Sequence, residues 1–214
     1  MNNKVILFDW GGVVEVPATE YKIMRDIMYS LGFRNIKEEE VHDEFLTCTS
    51  CSIFDSITDK EENDKVIKEF LSKFSGDIEV TNEHLNKFKE LYRELMAINP
   101  YYKEVSDYIY SLRNRCEIGI LSNVQMLDKF RQNSHFNYGP LNYRYLSCEL
   151  GMTKPNRDIF EYVNNDLKGK NILFLDDNPN NIVVPKELGW NVYLVKKDGD
   201  FEGIRNACEE FLKE

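Results

Sequence analysis

The sequence predicts an α/β fold, in which a parallel sheet carries a large helical insert after its first strand. In the second half of the 214-residue chain, short apolar segments alternate with helical segments. This alternation is typical of crossover connections in a parallel sheet. One more apolar segment opens the chain. Between it and the others lie about eighty residues that have helical periodicity and no strand pattern.

The opening segment Val5–Phe8 is short, rich in β-branched and aromatic side chains, and followed by a turn signal. These features are typical of a buried strand. The strand ends at Asp9, and two glycines, Gly11 and Gly12, follow closely. In open α/β sheets, ligands bind beyond the carboxyl ends of the strands. Asp9 is therefore a candidate site residue, although aspartate near glycine is also common in simple turns.

Apolar residues recur at helical spacing throughout the insert. Gly32 and Gly76 are placed as helix stop signals, and Thr81 is a suitable N-cap. The helix pattern breaks at Asn99–Pro100, because the residue before a proline disfavours helix. The helices predicted in the insert are Tyr21–Leu31, Glu38–Leu46, Ile53–Ile57, Val66–Phe74 and Thr81–Leu95.

After the insert, a helix is predicted over Tyr102–Arg115, and strands and helices then alternate. The predicted strands are Cys116–Leu121, Tyr143–Ser147, Asn171–Leu175 and Asn191–Val195. The predicted helices are Gln125–Asn133, Asp158–Asn164, Asn180–Leu188 and Phe201–Leu212. We therefore expect a core made of residues 1–15 and 99–214, with residues 16–98 as the insert.

The composition argues against several classes of partner. The net charge is −10, whereas a nucleic-acid-binding face is basic and anionic membranes attract basic segments. No apolar run approaches the roughly 18 residues of a membrane-spanning helix. Residues 1–4 lead directly into the first strand, so no signal peptide is expected. We expect a cytoplasmic protein that binds neither nucleic acid nor membrane.

Polar residues suited to phosphoryl chemistry follow successive predicted strands. Asp9 follows the first strand, Ser122–Asn123 the second, Lys154 the third, and Asp176–Asp177 the fourth. Parallel strands place their carboxyl ends at one edge of the sheet, so these groups are expected to converge. A carboxylate can attack phosphorus and form an aspartyl-phosphate. Neighbouring carboxylates suit Mg²⁺, and a hydroxyl, a lysine and backbone N–H groups would neutralise the phosphoryl charge.

These segments together resemble the four motifs of the haloacid dehalogenase superfamily, whose members are hydrolases with an aspartate nucleophile. The matching segments are Phe8–Val13, Leu121–Asn123, Lys154–Pro155, and Phe174–Asn178 with Asn181. The resemblance covers the whole chain, because the insert lies where the family carries its helical C1 cap. It implies a Rossmann-like core with an all-helical cap. The sequence looks like a branch that includes sugar-1-phosphate phosphatases and relatives of the phosphatase domain of soluble epoxide hydrolase.

The resemblance also implies roles for individual residues. Asp9 would be the nucleophile and Lys154 would neutralise the phosphoryl group. Mg²⁺ would be held by Asp9, the Gly11 carbonyl and Asp177, with Asp176 close to the metal. Asn181 would orient Lys154. The residues that would bind the substrate phosphate are Trp10, Gly11, Ser122, Asn123 and Lys154.

One position departs from the pattern of the family. Most of its phosphatases carry a second aspartate two residues after the nucleophile as general acid and base, and here that residue is Gly11. General acid catalysis typically contributes about 10²–10⁴ in rate. We therefore expect a preference for aryl, acyl or anomeric sugar phosphates, whose leaving oxygen needs little protonation. Glu15 or a cap residue is a candidate replacement acid.

The predicted function is hydrolysis of a small phosphorylated substrate, such as a sugar phosphate, by a Mg²⁺-dependent phosphatase. The alternative is a catalytically impaired relative that binds a phosphorylated ligand or a protein partner, and Gly11 is its main support. A dehalogenase would not need the acidic pair Asp176–Asp177 for a metal. Nucleotide-binding modules and Ser-His hydrolases are disfavoured, because the sequence lacks G-x-G-x-x-G, G-x-x-x-x-G-K-[ST] and G-x-S-x-G.

Overall fold

The computed structural model describes residues 3–16, 20–49, 57–96, 101–126, 141–196 and 199–214. Within these ranges the chain forms a parallel sheet of five strands with helices around it, which confirms the predicted α/β fold class. The strands are Lys4–Phe8 (β1), Glu117–Ser122 (β2), Tyr143–Leu146 (β3), Asn171–Asp176 (β4) and Asn191–Leu194 (β5).

The described strands lie in the order β3-β2-β1-β4-β5, and each neighbouring pair is parallel. The first strand in the sequence is therefore central in the sheet. Its alternate side chains enter two apolar clusters: Ile6 and Phe8 lie in one, Val5 and Leu7 in the other. Both faces of β1 are thus covered, which explains its continuous apolar sequence.

The helices of the insert are Glu20–Ser30 (α1), Glu38–Thr49 (α2), Lys60–Ser72 (α3) and Asn82–Met96 (α4). The later helices are Lys103–Leu112 (α5), Ser147–Leu150 (α6), Arg157–Asp166 (α7), Val183–Glu187 (α8) and Phe201–Lys213 (α9). A 3-10 helix, Pro179–Ile182, directly precedes α8. None of these helices is long and apolar enough to cross a membrane, as far as the described residues extend.

Residues 20–49 and 57–96 contain helices and no strand. Their buried apolar side chains form a cluster that shares no residue with the two clusters at the sheet. Its almost fully buried members include Met28, Phe33, Ile67, Phe88 and Tyr92. A separate apolar cluster supports our proposal that residues 16–98 form a cap domain and that residues 1–15 with 99–214 form the core.

Some element boundaries differ from the prediction for identifiable reasons. Helix α3 begins at Lys60 rather than Val66, because the Asp59 side chain accepts a hydrogen bond from Glu62 N at 2.9 Å and caps the helix there. The helix predicted over Asn180–Leu188 is present, but only Val183–Glu187 of it is α-helical. A 3-10 turn precedes α8, and Pro185 has no N–H to donate to a preceding turn.

Two predicted helices, Ile53–Ile57 and Gln125–Asn133, lie mainly outside the described residues. The other predicted helices and strands each correspond to an observed element within a few residues. The strand predicted over Tyr143–Ser147 ends at Leu146, and Ser147 is the first residue of α6.

Candidate active site

The central position of β1 brings two carboxylates together at the carboxyl edge of the sheet. Phe8 of β1 pairs with Leu175 of β4. The residues that follow them, Asp9 and Asp176, therefore lie side by side. On the other side of β1, β2 ends at Ser122. Three polar side chains thus meet at the edge where ligands bind in open α/β folds.

One carboxylate oxygen of Asp9 is the meeting point of three donors. Asp9 Oδ1 accepts hydrogen bonds from Trp10 N at 2.7 Å and Ser122 Oγ at 2.7 Å. Lys154 Nζ lies 2.9 Å from the same oxygen. Asp9 itself is 8% exposed. Hydrogen bonds that involve a charged partner are the strong ones, so this arrangement holds a negative charge in a defined place.

Lys154 lies in the segment between α6 and α7, and its side chain is only 1% exposed. Its Nζ is 2.6 Å from Asp176 Oδ2 as well as 2.9 Å from Asp9 Oδ1. Burial alone would lower the pKa of Lys154, but the carboxylates of Asp176 and Asp9 outweigh it and raise that pKa. The ammonium group therefore stays charged and pairs with both carboxylates.

Asp176 is fully buried and accepts hydrogen bonds on both oxygens. Oδ1 accepts from Asn178 N at 2.8 Å, and Asn181 Nδ2 lies 3.0 Å from each oxygen. The pKa of Asp176 is raised to about 6, because burial, together with the nearby Asp9 carboxylate, raises it by more than Lys154 lowers it. Asn181 was predicted to orient Lys154. Its amide contacts Asp176, so any orienting effect on Lys154 passes through that carboxylate.

Asp177 completes a group of three carboxylates with Asp9 and Asp176. One oxygen of each residue lies within 4.8 Å of the others. Lys154 balances one of the three negative charges. Carboxylate oxygens at this spacing are ligands that suit a hard divalent cation such as Mg²⁺. The residues present therefore fit the magnesium ion that the sequence predicts.

The two glycines after Trp10 have different surroundings. Gly12 has a φ of +76°, and a Cβ atom built on it would lie 2.6 Å from Asp177 Cγ. A Cβ built on Gly11 would meet nothing within 4 Å. Only Gly12 is therefore required by its backbone conformation and by the close approach of Asp177. Gly11 leaves open space where the family pattern has a carboxylate.

Replacing Gly12 with alanine is expected to displace Asp177 and weaken Mg²⁺ binding. The left-handed backbone adds a cost of about 1–2 kcal/mol in the free energy of unfolding. Thermal unfolding with and without Mg²⁺ measures both effects, because a ligand that binds the native state raises the midpoint. Gly11→Ala is the matched control, and its midpoint is expected to stay near that of the wild type. Equal decreases of the unfolding midpoint in Gly12→Ala and Gly11→Ala would contradict the conclusion that only Gly12 must be glycine.

Glu15, the candidate replacement acid, is 5% exposed. The Trp10 indole N–H donates a hydrogen bond to its carboxylate. The Trp10 ring in turn packs in the apolar cluster that holds Ile6 and Phe8. The Glu15 carboxylate is thus held against a core aromatic ring, and this contact favours a structural role for it over an acid–base role.

Several contacts at the site were not predicted from the sequence. Ser147 Oγ accepts a hydrogen bond from Val124 N at 2.8 Å and anchors the segment after β2. The carboxamide of Asn123 bonds the backbone of Lys154. A lone serine or asparagine near a strand end is too common in sequences to reveal such contacts. The positive φ of Gly12, by contrast, is a typical reason for glycine in a tight turn.

Comparison with known proteins adds to this geometry. No family model matches the chain. A curated D-ribitol-5-phosphate phosphatase of Bacteroides thetaiotaomicron is 27% identical, and the match covers 92% of this chain and 94% of that protein.

Solved structures of other proteins share the fold. A HAD family enzyme of Bacteroides thetaiotaomicron, in complex with magnesium and inorganic phosphate, has a TM-score of 0.70 at 19% identity, covering 94% of this chain and 98% of that one. A predicted HAD-like family hydrolase of Porphyromonas gingivalis has a TM-score of 0.64 at 21% identity, covering 100% of this chain and 99% of that one.

Proposed function

We propose that the chain is a Mg²⁺-dependent phosphatase of the haloacid dehalogenase superfamily and that it acts on a small phosphate ester. Its similarity to a curated phosphatase and the fold it shares with HAD family enzymes support this proposal. The observation that carries this proposal is the environment of Asp9. Three donors meet at one of its oxygens, and two further carboxylates lie within 4.8 Å. An activated carboxylate among charge-neutralising groups is what phosphoryl transfer through a covalent intermediate requires.

In the first step, a carboxylate oxygen of Asp9 attacks phosphorus and forms an aspartyl-phosphate. The bond between phosphorus and the ester oxygen breaks, and the leaving alkoxide takes a proton from water. Ser122, Lys154 and the Trp10 N–H would bind the phosphoryl oxygens, since all three already point to Asp9 Oδ1. In the second step, water attacks phosphorus, inorganic phosphate leaves, and the Asp9 carboxylate is regenerated.

The metal would be held by Asp9, Asp177 and the Gly11 carbonyl, with Asp176 beside it. When bound, Mg²⁺ would neutralise charge between the carboxylate and the incoming phosphate. Asp176 also keeps Lys154 in place through the 2.6 Å ion pair. Asn123 would bind the phosphoryl group through its backbone N–H.

The substrate class is proposed from two observations. The Bacteroides relative is named for D-ribitol 5-phosphate, a phosphorylated polyol, and this supports a phosphorylated sugar or polyol as substrate. The open space at Gly11 supports a preference for esters with good leaving groups. Anomeric sugar phosphates satisfy both conditions, because they combine a sugar with a leaving oxygen that needs little protonation.

The alternative function is binding of a phosphorylated ligand or partner without turnover, and the absence of a side chain at Gly11 is the observation that favours it. The buried ion pairs of Lys154 with Asp9 and Asp176 favour catalysis, because a binding protein does not need an aspartate nucleophile next to a metal site. Measurable turnover distinguishes the two functions.

The test is phosphate release by the purified protein from an aryl phosphate, an anomeric sugar phosphate and D-ribitol 5-phosphate. We expect release that needs Mg²⁺, stops with excess chelator and is absent from Asp9→Asn. Release no greater than that of Asp9→Asn on every ester would overturn the phosphatase proposal. Release that persists in chelator would overturn the role of the metal. A higher kcat/KM on D-ribitol 5-phosphate than on the other esters would contradict the leaving-group preference.

A further inference from the structure

We propose that the side chain of Asn123 is a positioning residue for Lys154, an inference that rests on the proposed phosphatase function. Asn123 Oδ1 accepts a hydrogen bond from Lys154 N at 2.9 Å. Asn123 Nδ2 donates to Lys154 O at 2.8 Å. One carboxamide thus uses both of its polar atoms on the backbone of one residue, 31 positions further along the chain.

Two hydrogen bonds to the same residue fix its backbone more tightly than one. They hold both the position and the direction of the Lys154 peptide groups, as the paired bonds between strands do. The ammonium group of a lysine sits at the end of a flexible stem of limited length. The position of the Lys154 backbone therefore limits where the ammonium group can reach. Here Nζ must reach Asp9 Oδ1 and Asp176 Oδ2 at once, at 2.9 and 2.6 Å.

The same carboxamide also links Lys154 to the segment that carries Ser122. Ser122 Oγ donates to Asp9 Oδ1 at 2.7 Å, the oxygen that Lys154 Nζ contacts. Asn123 directly follows Ser122. Its pair of hydrogen bonds to the Lys154 backbone, called here the Asn123 clamp, therefore sets the separation between the Ser122 hydroxyl and the Lys154 ammonium group. Both groups would bind the phosphoryl oxygens, so this separation must match a tetrahedral phosphate.

Ser147 anchors the same segment from a second side. Val124 N donates to Ser147 Oγ at 2.8 Å, and Ser147 Oγ lies 3.3 Å from Val124 O. Ser147 is fully buried. Its hydroxyl therefore holds the segment after β2, while the Asn123 carboxamide connects that segment to Lys154. Removal of Ser147 Oγ is thus a matched control that loosens the segment without touching the Lys154 backbone.

The first experiment measures amide hydrogen exchange by NMR. In Asn123→Ala, the Lys154 N–H loses its acceptor, and its exchange relative to core amides of β1 is expected to rise about tenfold. In Ser147→Ala, the Val124 N–H is expected to exchange faster and the Lys154 N–H to stay protected. Unchanged exchange of the Lys154 N–H in Asn123→Ala would overturn the proposal, whatever the protein's activity.

The second experiment measures turnover of an aryl phosphate with Mg²⁺. A misplacement of about 1 Å in a catalytic group can cost about 10²-fold in rate, so a loss of this order in kcat is expected for Asn123→Ala, with a smaller change in KM. Asn123→Asp is the second variant. It keeps an acceptor for Lys154 N but places an anionic oxygen against Lys154 O, so we expect a protected amide and a reduced kcat.

Thermal unfolding midpoints near that of the wild type are expected for both Asn123 variants, and they separate positioning from folding. Equal losses of kcat in Asn123→Ala and Ser147→Ala would overturn the proposal, because the effect would then belong to the segment as a whole. A wild-type protein without any phosphate release would instead contradict the proposed function, and the exchange of the Lys154 N–H would still decide whether the clamp exists.

Discussion

Replacing Lys154 with methionine is expected to lower kcat/KM for phosphate release by about 10³-fold, at the upper end of what one lost electrostatic contact costs. Methionine is also long and unbranched, so the cavity stays filled while the charge is lost. The change removes the ammonium group 2.9 Å from Asp9 Oδ1 and 2.6 Å from Asp176 Oδ2. Lys168→Met, at an exposed lysine, is the control and is expected to keep full activity.

The same variant is expected to change how stability depends on pH. With Lys154 present, burial raises the pKa of Asp176 to about 6. Without Lys154 that pKa should rise further, because the ammonium group lowers it. A carboxyl group whose pKa is raised by folding stabilises the native state below its unfolded pKa, and this contribution is lost as pH rises through the folded pKa.

Metal-free Lys154→Met should therefore unfold at lower temperature as pH increases from about 4 to above 6, more steeply than the wild type. Added Mg²⁺ should restore part of the loss, because it binds the ionised carboxylates. Unfolding midpoints over this pH range, with and without Mg²⁺, test the prediction. A midpoint that follows the wild-type pH dependence would contradict the assignment of Lys154 as the charge partner of Asp176.

Introducing an aspartate at Gly11 is expected to raise kcat/KM for a primary alkyl phosphate by about 10²-fold or more, since general acid catalysis supplies about 10²–10⁴. A Cβ atom at Gly11 would meet nothing within 4 Å, and the residue is exposed. The side chain can therefore be accommodated in the loop that follows the nucleophile. The gain should be small for aryl phosphates, because their leaving oxygen needs little protonation.

Gly11→Asn is the matched control for this gain. Its amide has the shape of the aspartate side chain but no proton that it can donate and take back near neutral pH. An equal gain in both variants would show that the effect comes from loop conformation. An equal gain on alkyl and aryl phosphates in Gly11→Asp would contradict the proposal that the wild-type enzyme lacks a general acid at this position.

The sequence predicted the sheet and its carboxyl edge because these depend on local patterns. The apolar segments that end at Asp9 and Asp176 are recognisable strands, and parallel order then places their ends together. Helix boundaries depended on weaker signals. The start of α3 is set by the Asp59 cap rather than by the apolar stripe. The 3-10 turn Pro179–Ile182 comes directly before α8, which contains Pro185, a residue that cannot donate a backbone hydrogen bond.

The contacts that hold the site together were harder to predict, because they join residues far apart in the sequence. The sequence pointed to Lys154 by its place after a strand, but it did not indicate that Asn123 holds its backbone. The family resemblance implied that Asn181 orients Lys154, but it did not indicate that the amide contacts Asp176, the ion-pair partner of Lys154. The contacts of Asn123 and Asn181 both depend on the path of the segments that connect the strands. Short sequence motifs do not determine that path.

The position of β1 has a consequence for how the protein is made. Lys4–Phe8 leaves the ribosome well before Glu117–Ser122 and Asn171–Asp176, the two strands with which it pairs. Contacts this distant in sequence form slowly, because a long loop must close before they contribute. The helices of the insert bury their side chains in a cluster of their own, so they can fold first. Asp9 therefore lacks its neighbours Ser122, Lys154 and Asp176 until these later segments have been synthesised.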